Sequence, residues 1–287
     1  MSGFSSEWLA LREPADDAAR SGAVCSAIPR RAETPLDVVD LGAGTGANLR
    51  FLAPRLGGAQ RWRLVDDDRS VLADARSALR EWSSAQGFSF AETSDGVRVE
   101  GETFTCEAAL VAADIAAGLD GCMPAAGGLV TASALLDLVS AEWLRVLAAR
   151  CAEADASVLF ALTYDGRMRF EPATPGDERV RALVNRHQRS NKGFGPALGP
   201  KAAAAAIETF AAHRYALRAE STDWRLTPAA AALQTELLAG WHAAAVETAP
   251  GERNALDAWL EERLRHVEHG RSSLVVGHVD VAGAPAP

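Results

Sequence analysis

Three aspartates are placed where chemistry would need them: Asp40, near the end of the apolar run LDVVDL; Asp66, at the first acid of LVDDD; and Asp114, in ADI. Each follows residues of the kind that fill a buried strand, so each carboxylate is expected at a strand end. Asp40 leads into Leu41-Gly42-Ala43-Gly44-Thr45-Gly46, and a helical stretch from Ala47 to Leu56 follows at once. Glycines at 42 and 44 permit a sharp turn and let a ligand approach the backbone without meeting a Cβ, while the helix start presents unpaired N–H groups. Strand, glycine turn and helix N-terminus together make a ligand cradle.

Such a cradle needs a sheet to hold it. LDVVDL reads as strand one and WRLVDDD, 62–68, as strand two, with a helix from Val71 to Trp82 after it. A third core strand should precede Asp114, a fourth is GGLVTAS, and a fifth is SVLFALTY, 157–164, with a helix over 141–153 before it. This alternation predicts a doubly wound, mostly parallel α/β sheet of seven strands with an antiparallel last strand. Asp95-Gly96 between alternating runs predicts a β-hairpin excursion within 88–104.

The 287 residues are expected to form a single domain. An N-terminal helical cap spans 1–30, its helix running over 4–28 with Pro29 and Pro35 bracketing the connection that follows. The cradle core spans 31–164 and a substrate loop 165–200. Residues 201–287 form the C-terminal half of the sheet, with a helical insertion over 228–269 broken near Pro250-Gly251 and strands at 215–224 and 272–281.

A net charge of -9 and the absence of a Lys/Arg-rich run argue against a nucleic-acid partner. Neither a signal-like N-terminus nor an 18-residue apolar window appears, so no membrane partner is expected. Cys25, Cys106, Cys122 and Cys151 form no Cys-x-x-Cys pair, which fits a reducing cytoplasm. His266 and His269 have metal-pair spacing but no third ligand, so no metal is assigned.

The motif DLGAGTG resembles the first motif of class I S-adenosylmethionine-dependent methyltransferases, a Rossmann-like family, and the resemblance extends from about residue 36 to 164. It implies S-adenosylmethionine as cofactor, S-adenosylhomocysteine as product, and a small-molecule methyl acceptor. It places Asp40, Gly42, Ala43, Gly44 and Asn48 around the methionine part of the cofactor. Asp66 falls where the family has an acid for the ribose hydroxyls, and a carboxylate suits a diol because it accepts both protons. Asp67 is close enough to share the assignment, whereas Asp68 reads as a helix cap. Asp114 and Ile115 match the family's adenine-binding acid and its apolar neighbour, and Ser133 closes the fourth strand beside the cofactor.

Two other readings stay open. Gly42-x-Gly44-x-x-Ala47 also satisfies a dinucleotide-binding template, with Asp66 at a tolerable distance for an NAD ribose, although Asp40 would crowd a pyrophosphate. A cofactor-binding partner subunit without catalysis would carry the same motifs.

The acceptor should lie beyond the strand ends, between the N-terminal helix, the segment after strand four and residues 165–200. That last segment carries Arg167, Arg169, Arg179, Arg181, Arg186, Arg189 and Lys192 against only Asp165, Glu171, Asp177 and Glu178 in an acidic chain, which predicts an anionic acceptor unless the segment is a charged helix face paired within itself. Arg186 and Arg189 are candidate acceptor contacts. Arg12 and Arg20 are candidates for a carboxylate of cofactor or substrate, and His187 and Tyr164 for a general base or for orienting the acceptor.

Overall fold

The computed structural model describes residues 5–28 and 34–286. Along the chain these form α1 (Ser6–Ala19), α2 (Gly22–Cys25), β1 (Leu36–Leu41), α3 (Ala47–Leu56), β2 (Gly58–Asp66), α4 (Arg69–Gln86), β3 (Ser89–Glu92), β4 (Gly96–Glu100), β5 (Phe104–Ala112) and β6 (Leu129–Ser133). There follow α5 (Ala141–Glu153), β7 (Ser157–Glu171), α6 (Asp177–His187), α7 (Ala202–Ala212), β8 (Tyr215–Ser221), β9 (Trp224–Leu226), α8 (Ala231–Thr248), α9 (Arg253–Glu268) and β10 (Ser273–Pro285).

One sheet runs in the order β3-β4-β5-β2-β1-β6-β7-β10-β8, with β9 on β10. Strands β5, β2, β1, β6 and β7 are parallel, and β10 is antiparallel to both β7 and β8. The doubly wound sheet with an antiparallel last strand is therefore present. Its ten described strands exceed the seven expected, because the β3–β4 hairpin extends one edge and β9 lengthens the other. The order reverses between β1 and β6, and in open α/β sheets ligands bind at such a switch point.

LDVVDL lacks alternation because both faces are covered. Val38 packs on the side of Leu49 and Leu52 of α3, while Val39 and Leu41 pack on the side of Leu144 and Leu147 of α5. With a period of two, Asp40 shares the face of Val38 and is driven in beneath α3.

Two expectations need correction. The N-terminal helix does not run unbroken over 4–28: Arg20 is extended (φ -64, ψ 142), and the Ser21 hydroxyl caps the separate α2 by accepting from the N–H of Val24. Phe4, Pro29 and the boundary between cap and core lie outside the described residues. Residues 165–200 are not one loop: 172–176 and 188–198 lie outside the helices and named strands, and the rest is strand or helix. Strand β7 continues to Glu171 because β10 pairs with it along that length, and α6 buries Val180, Leu183 and Val184, an apolar stripe that the charge density of the segment conceals.

Helix α1 lies across the glycine turn. Arg50 of α3 binds Glu13 through two hydrogen bonds of 2.7 and 2.6 Å, and Trp224 of β9 donates to Asp16 at 3.0 Å. Among the described residues, no helix is long and apolar enough to cross a membrane.

Candidate ligand site at the glycine turn

Gly42, Gly44 and Gly46 all have left-handed backbone, with φ of +67, +54 and +78. The constraint is sharpest at Gly44, where a Cβ would also stand 3.0 Å from the Leu9 side chain of α1. The N–H groups of Gly42 and Ala43 both donate to the Val65 carbonyl, which fixes the turn to β2. No side chain caps the N-terminus of α3, leaving its first N–H groups to a ligand.

Asp40 is buried beneath this turn. Its Oδ1 accepts from Asn48 Nδ2 at 2.7 Å, and the same amide donates to Thr131 Oγ1 at 3.0 Å. Asp40 Oδ2 and Asn48 Oδ1 are buried and have no hydrogen-bond partner among the described residues. Burial pushes the Asp40 carboxyl up to about 7, against the Asn48 hydrogen bond and the charge of Arg20. Two unsatisfied buried acceptors beside a glycine turn are costly unless donors arrive, so the turn is built for a ligand bearing N–H or O–H groups.

Asp66 lies half-buried at the end of β2. It accepts the N–H of Gly44 at 2.9 Å on Oδ2 and that of Asp68 at 3.0 Å on Oδ1, which leaves acceptor capacity on both oxygens. Burial raises its carboxyl above the usual range. Asp67 is exposed beside it. Asp68 caps α4, accepting from the N–H groups of Ser70 and Val71. Asp114 is exposed, with one oxygen closing a turn onto the N–H groups of Ala116 and Ala117. Ile115 is buried behind it, and its carbonyl accepts from Trp143 Nε1. Ser133 ends β6 half-buried, and Leu135 reaches within 3.5 Å of a Cβ built on Gly42. The cofactor candidates thus gather at the ends of β1, β2, β5 and β6.

The candidates for the acceptor scatter more. Tyr164 is buried on β7, donates to Asn185 Oδ1 at 2.7 Å, and has its phenol held above the usual range by burial, so it stays protonated. His187 ends α6, with Lys192 Nζ 3.2 Å from its Nδ1 and Glu247 3.2 Å from its Nε2. Arg12 pairs with Asp16 at 2.9 and 3.1 Å and stacks over Trp224. Arg20 is buried over the ring of Phe51. Arg186 and Arg189 are exposed, the former donating to the Thr248 carbonyl.

Residues that sequence reasoning passes over lie nearer the interior. Asp137, in the segment after β6, is buried, and burial pushes its carboxyl up to about 7 while the charges of Arg12 and Lys192 and the N–H groups of residues 137 and 164 draw it down. A lone acid inside the apolar run ALLDLV is its available signal. His278 of β10 stands opposite Tyr164, 5.0 Å from the Trp224 ring. It is kept neutral by burial, which lowers its imidazole to about 3. Nothing in its sequence neighbourhood marks it.

No family model matches the chain, and no curated protein does. Among solved structures it is similar to a cyclopropane synthase from Mycobacterium tuberculosis (11% identity, 97% of this chain and 94% of that chain covered, TM-score 0.49) and to a geranyl diphosphate methyltransferase solved with SAM (11% identity, 100% and 93% covered, TM-score 0.43). It is more similar to a cyclopropane-fatty-acyl-phospholipid synthase-like protein from Lactobacillus casei, at 13% identity, with 98% of this chain and 94% of that chain covered and a TM-score of 0.53. The chain shares the Rossmann-like fold of that protein over nearly its whole length.

Proposed function

We propose that this chain is an enzyme that binds S-adenosylmethionine in the glycine turn and transfers its methyl group to a small molecule. The observation that carries the reading is the buried Asp40, with one oxygen unpartnered beneath three left-handed glycines and with Asp66 and Asp114 at the neighbouring strand ends. Asp40 and Asn48 supply acceptors for the cofactor's amino group, Asp66 for its ribose and Asp114 for its adenine. The sheet supports this reading over a dinucleotide enzyme: an antiparallel β10 stands between β7 and β8, whereas the usual dinucleotide order is 3-2-1-4-5-6.

The cofactor supplies a sulfonium methyl group, already activated by its charge. The chain's part is alignment and exclusion of water. Leu135 and Leu9 close over the turn, and beyond them Tyr164 is available to orient an acceptor by hydrogen bonding. Asp137, poised near neutrality among Arg12, Lys192 and Tyr164, is better matched than His187 to taking a proton from the acceptor, because His187 already lies between Lys192 and Glu247. The arginine-rich segment lends little support to an anionic acceptor. Arg167, Arg179 and Arg181 hold carboxylates of the chain and Arg186 a carbonyl, which leaves that reading to Arg169, Arg189 and Lys192. The four cysteines are buried and unpaired, which supports a reducing, cytoplasmic setting.

Calorimetry with S-adenosylmethionine, S-adenosylhomocysteine and NAD tests the reading. Binding of either sulfur nucleoside with none of NAD is the expected result. Binding of NAD alone would overturn it, and tight cofactor binding without turnover on any of a panel of small acceptors would leave a partner subunit.

A further inference from the structure

The sheet is most irregular where β7 meets β10. Val281 pairs with Phe160 and Val279 with Thr163, so on β10 Asp280 alone stands opposite Ala161 and Leu162 together. Two residues against one make a β-bulge, and the extra residue loses its ladder hydrogen bond. Leu162 is that residue: it is buried, yet its backbone is left-handed at φ +54, a conformation that a leucine rarely adopts. A second register shift lies between His278 and Val276, opposite Asp165, Gly166 and Arg167, and it leaves Thr163 and Tyr164 as a two-residue rung between two irregularities.

The bulge reverses the faces of β7. Leu159 and Ala161 belong to the core cluster that holds Leu52 of α3, Val180 of α6, Trp224 of β9 and Leu233 of α8, whereas Phe160 belongs to the one with Leu144 of α5 and Phe210 of α7. Continued alternation would send Thr163 toward the first cluster and Tyr164 toward the second. Instead Leu162 and Tyr164 join the first. Tyr164 therefore looks toward α6 and β9, donating to Asn185 at 2.7 Å and lying 6.3 Å from the His278 ring, which is in turn 5.0 Å from Trp224.

What holds the reversal is Asp280. Its Oδ1 accepts the N–H of Leu162 at 2.8 Å, so a side chain of the opposing residue replaces the missing ladder bond. The carboxylate is itself fixed from two further elements. Thr222 Oγ1, between β8 and β9, donates to Oδ1 at 2.9 Å, and the N–H of Ser21, at the cap of α2, donates to Oδ2 at 3.1 Å. An apolar residue at 280 would leave these three donors buried and unpaired. Asp280 is 1% exposed, so it acts through what it holds.

We propose that Asp280 is a positioning residue of the acceptor side: by keeping Leu162 in the bulge it turns Tyr164 toward α6 and β9, the face on which its phenol can orient a methyl acceptor. The inference rests on the reading of Tyr164 above and adds the residue on which that placement depends.

The chain has two tyrosines, Tyr164 and Tyr215, so tyrosine labelled with a magnetic isotope at Cζ gives one resonance from each. Tyr164→Phe assigns them, and Asn185→Ala records the shift that Tyr164 shows when its phenol loses its partner. The expected result is that Asp280→Ala moves the Tyr164 signal in the same direction as Asn185→Ala does. The Tyr215 signal, whose phenol is held by the Ala156 carbonyl at 2.7 Å, should stay in place. Asp280→Asn, which keeps an oxygen for Leu162, should retain the native position of both signals. An unmoved Tyr164 signal in folded Asp280→Ala, or equal movement of both tyrosine signals, would overturn the assignment. Should Asp280→Ala not fold, Asp280→Glu decides, since it keeps the charge but carries the carboxylate one methylene away from its site: the Tyr164 signal should move, and an unchanged one would overturn the proposal. The measurement needs neither cofactor nor acceptor, so its failure strikes Asp280 alone. A chain that binds neither S-adenosylmethionine nor S-adenosylhomocysteine would take away the methyl transfer, and with it the positioning role, whatever the signals do.

Discussion

The glycine turn and the arginine-rich segment are both polar regions in an otherwise ordinary α/β protein, and they treat their polar atoms in opposite ways. Under the turn, Asp40 Oδ2 and Asn48 Oδ1 are buried and idle. In the segment, Arg167 spans Asp165 and Asp223, Arg179 meets Glu252 and Arg181 meets Glu178, all on the surface. Charge density alone is therefore a poor guide to where a ligand goes. Unsatisfied burial is a better one, because it is tolerated only where something else will satisfy it.

The sharpest way to break this contrast is Gly44→Val. A β-branched side chain at φ +54, already 3.0 Å from Leu9, should cost S-adenosylhomocysteine binding at least about a hundredfold in calorimetry, with far-ultraviolet dichroism retained.

Asp137 tests whether buried acids are a burden without a ligand. Its folded carboxyl is raised to about 7 against an unfolded value of about 3.9, so the folded chain holds the proton more tightly between those values. The stability this group contributes is fully present below about pH 4, is lost as pH rises toward 7, and changes little beyond. Asp137→Asn should flatten that decline in urea titrations and stabilise the protein at pH 8 by a few kcal/mol, since each pH step between the unfolded and folded values is worth roughly 1.4 kcal/mol. Asp40 has the same sign, so the variant's profile should keep a residual slope.

At Asp66, replacement by Ala should weaken S-adenosylhomocysteine binding by about 1 to 3 kcal/mol, the cost of stripping partners from buried groups. Asp68→Ala should lower the melting temperature through loss of the α4 cap while affecting binding less. Equal binding losses at the two would show the ribose acid to be misplaced.

The smallest effect is expected in the segment itself. Replacing Arg179 and Arg181 by Ala should leave both nucleoside affinity and melting temperature almost unchanged, because exposed pairs contribute little. A large change in either would mean that this surface communicates with the site after all.

The unequal legibility of the two regions has a physical cause. Asp40 to Asn48 form a contiguous strand, turn and helix start, so the local sequence dictates the geometry, and Asp66 and Asp114 recur at strand ends that hydrophobic runs reveal. The antiparallel strand past β7 and the β3–β4 hairpin are legible for the same reason. The polar groups around Asp137 and Tyr164, namely Arg12, Lys192 and His278, come with them from five distant segments, and no spacing rule joins them. The stretch 165–200 reads as a loop because three apolar residues of α6 are outnumbered by charges that face water. Arg20 carries a helical pattern and gives no hint that the helix breaks under it.

Helix α1 is fastened on either side of the turn, by Glu13 to Arg50 and by Asp16 to Trp224, and it rests Leu9 on Gly44. Its consequence is a matter of rates. The expected outcome is that α1 must lift before a molecule enters or leaves the turn, so that stopped-flow association levels off at high ligand concentration instead of climbing linearly. Cutting the Glu13 tether with Glu13→Gln should raise that plateau and hasten release together, leaving the equilibrium affinity less changed than either rate.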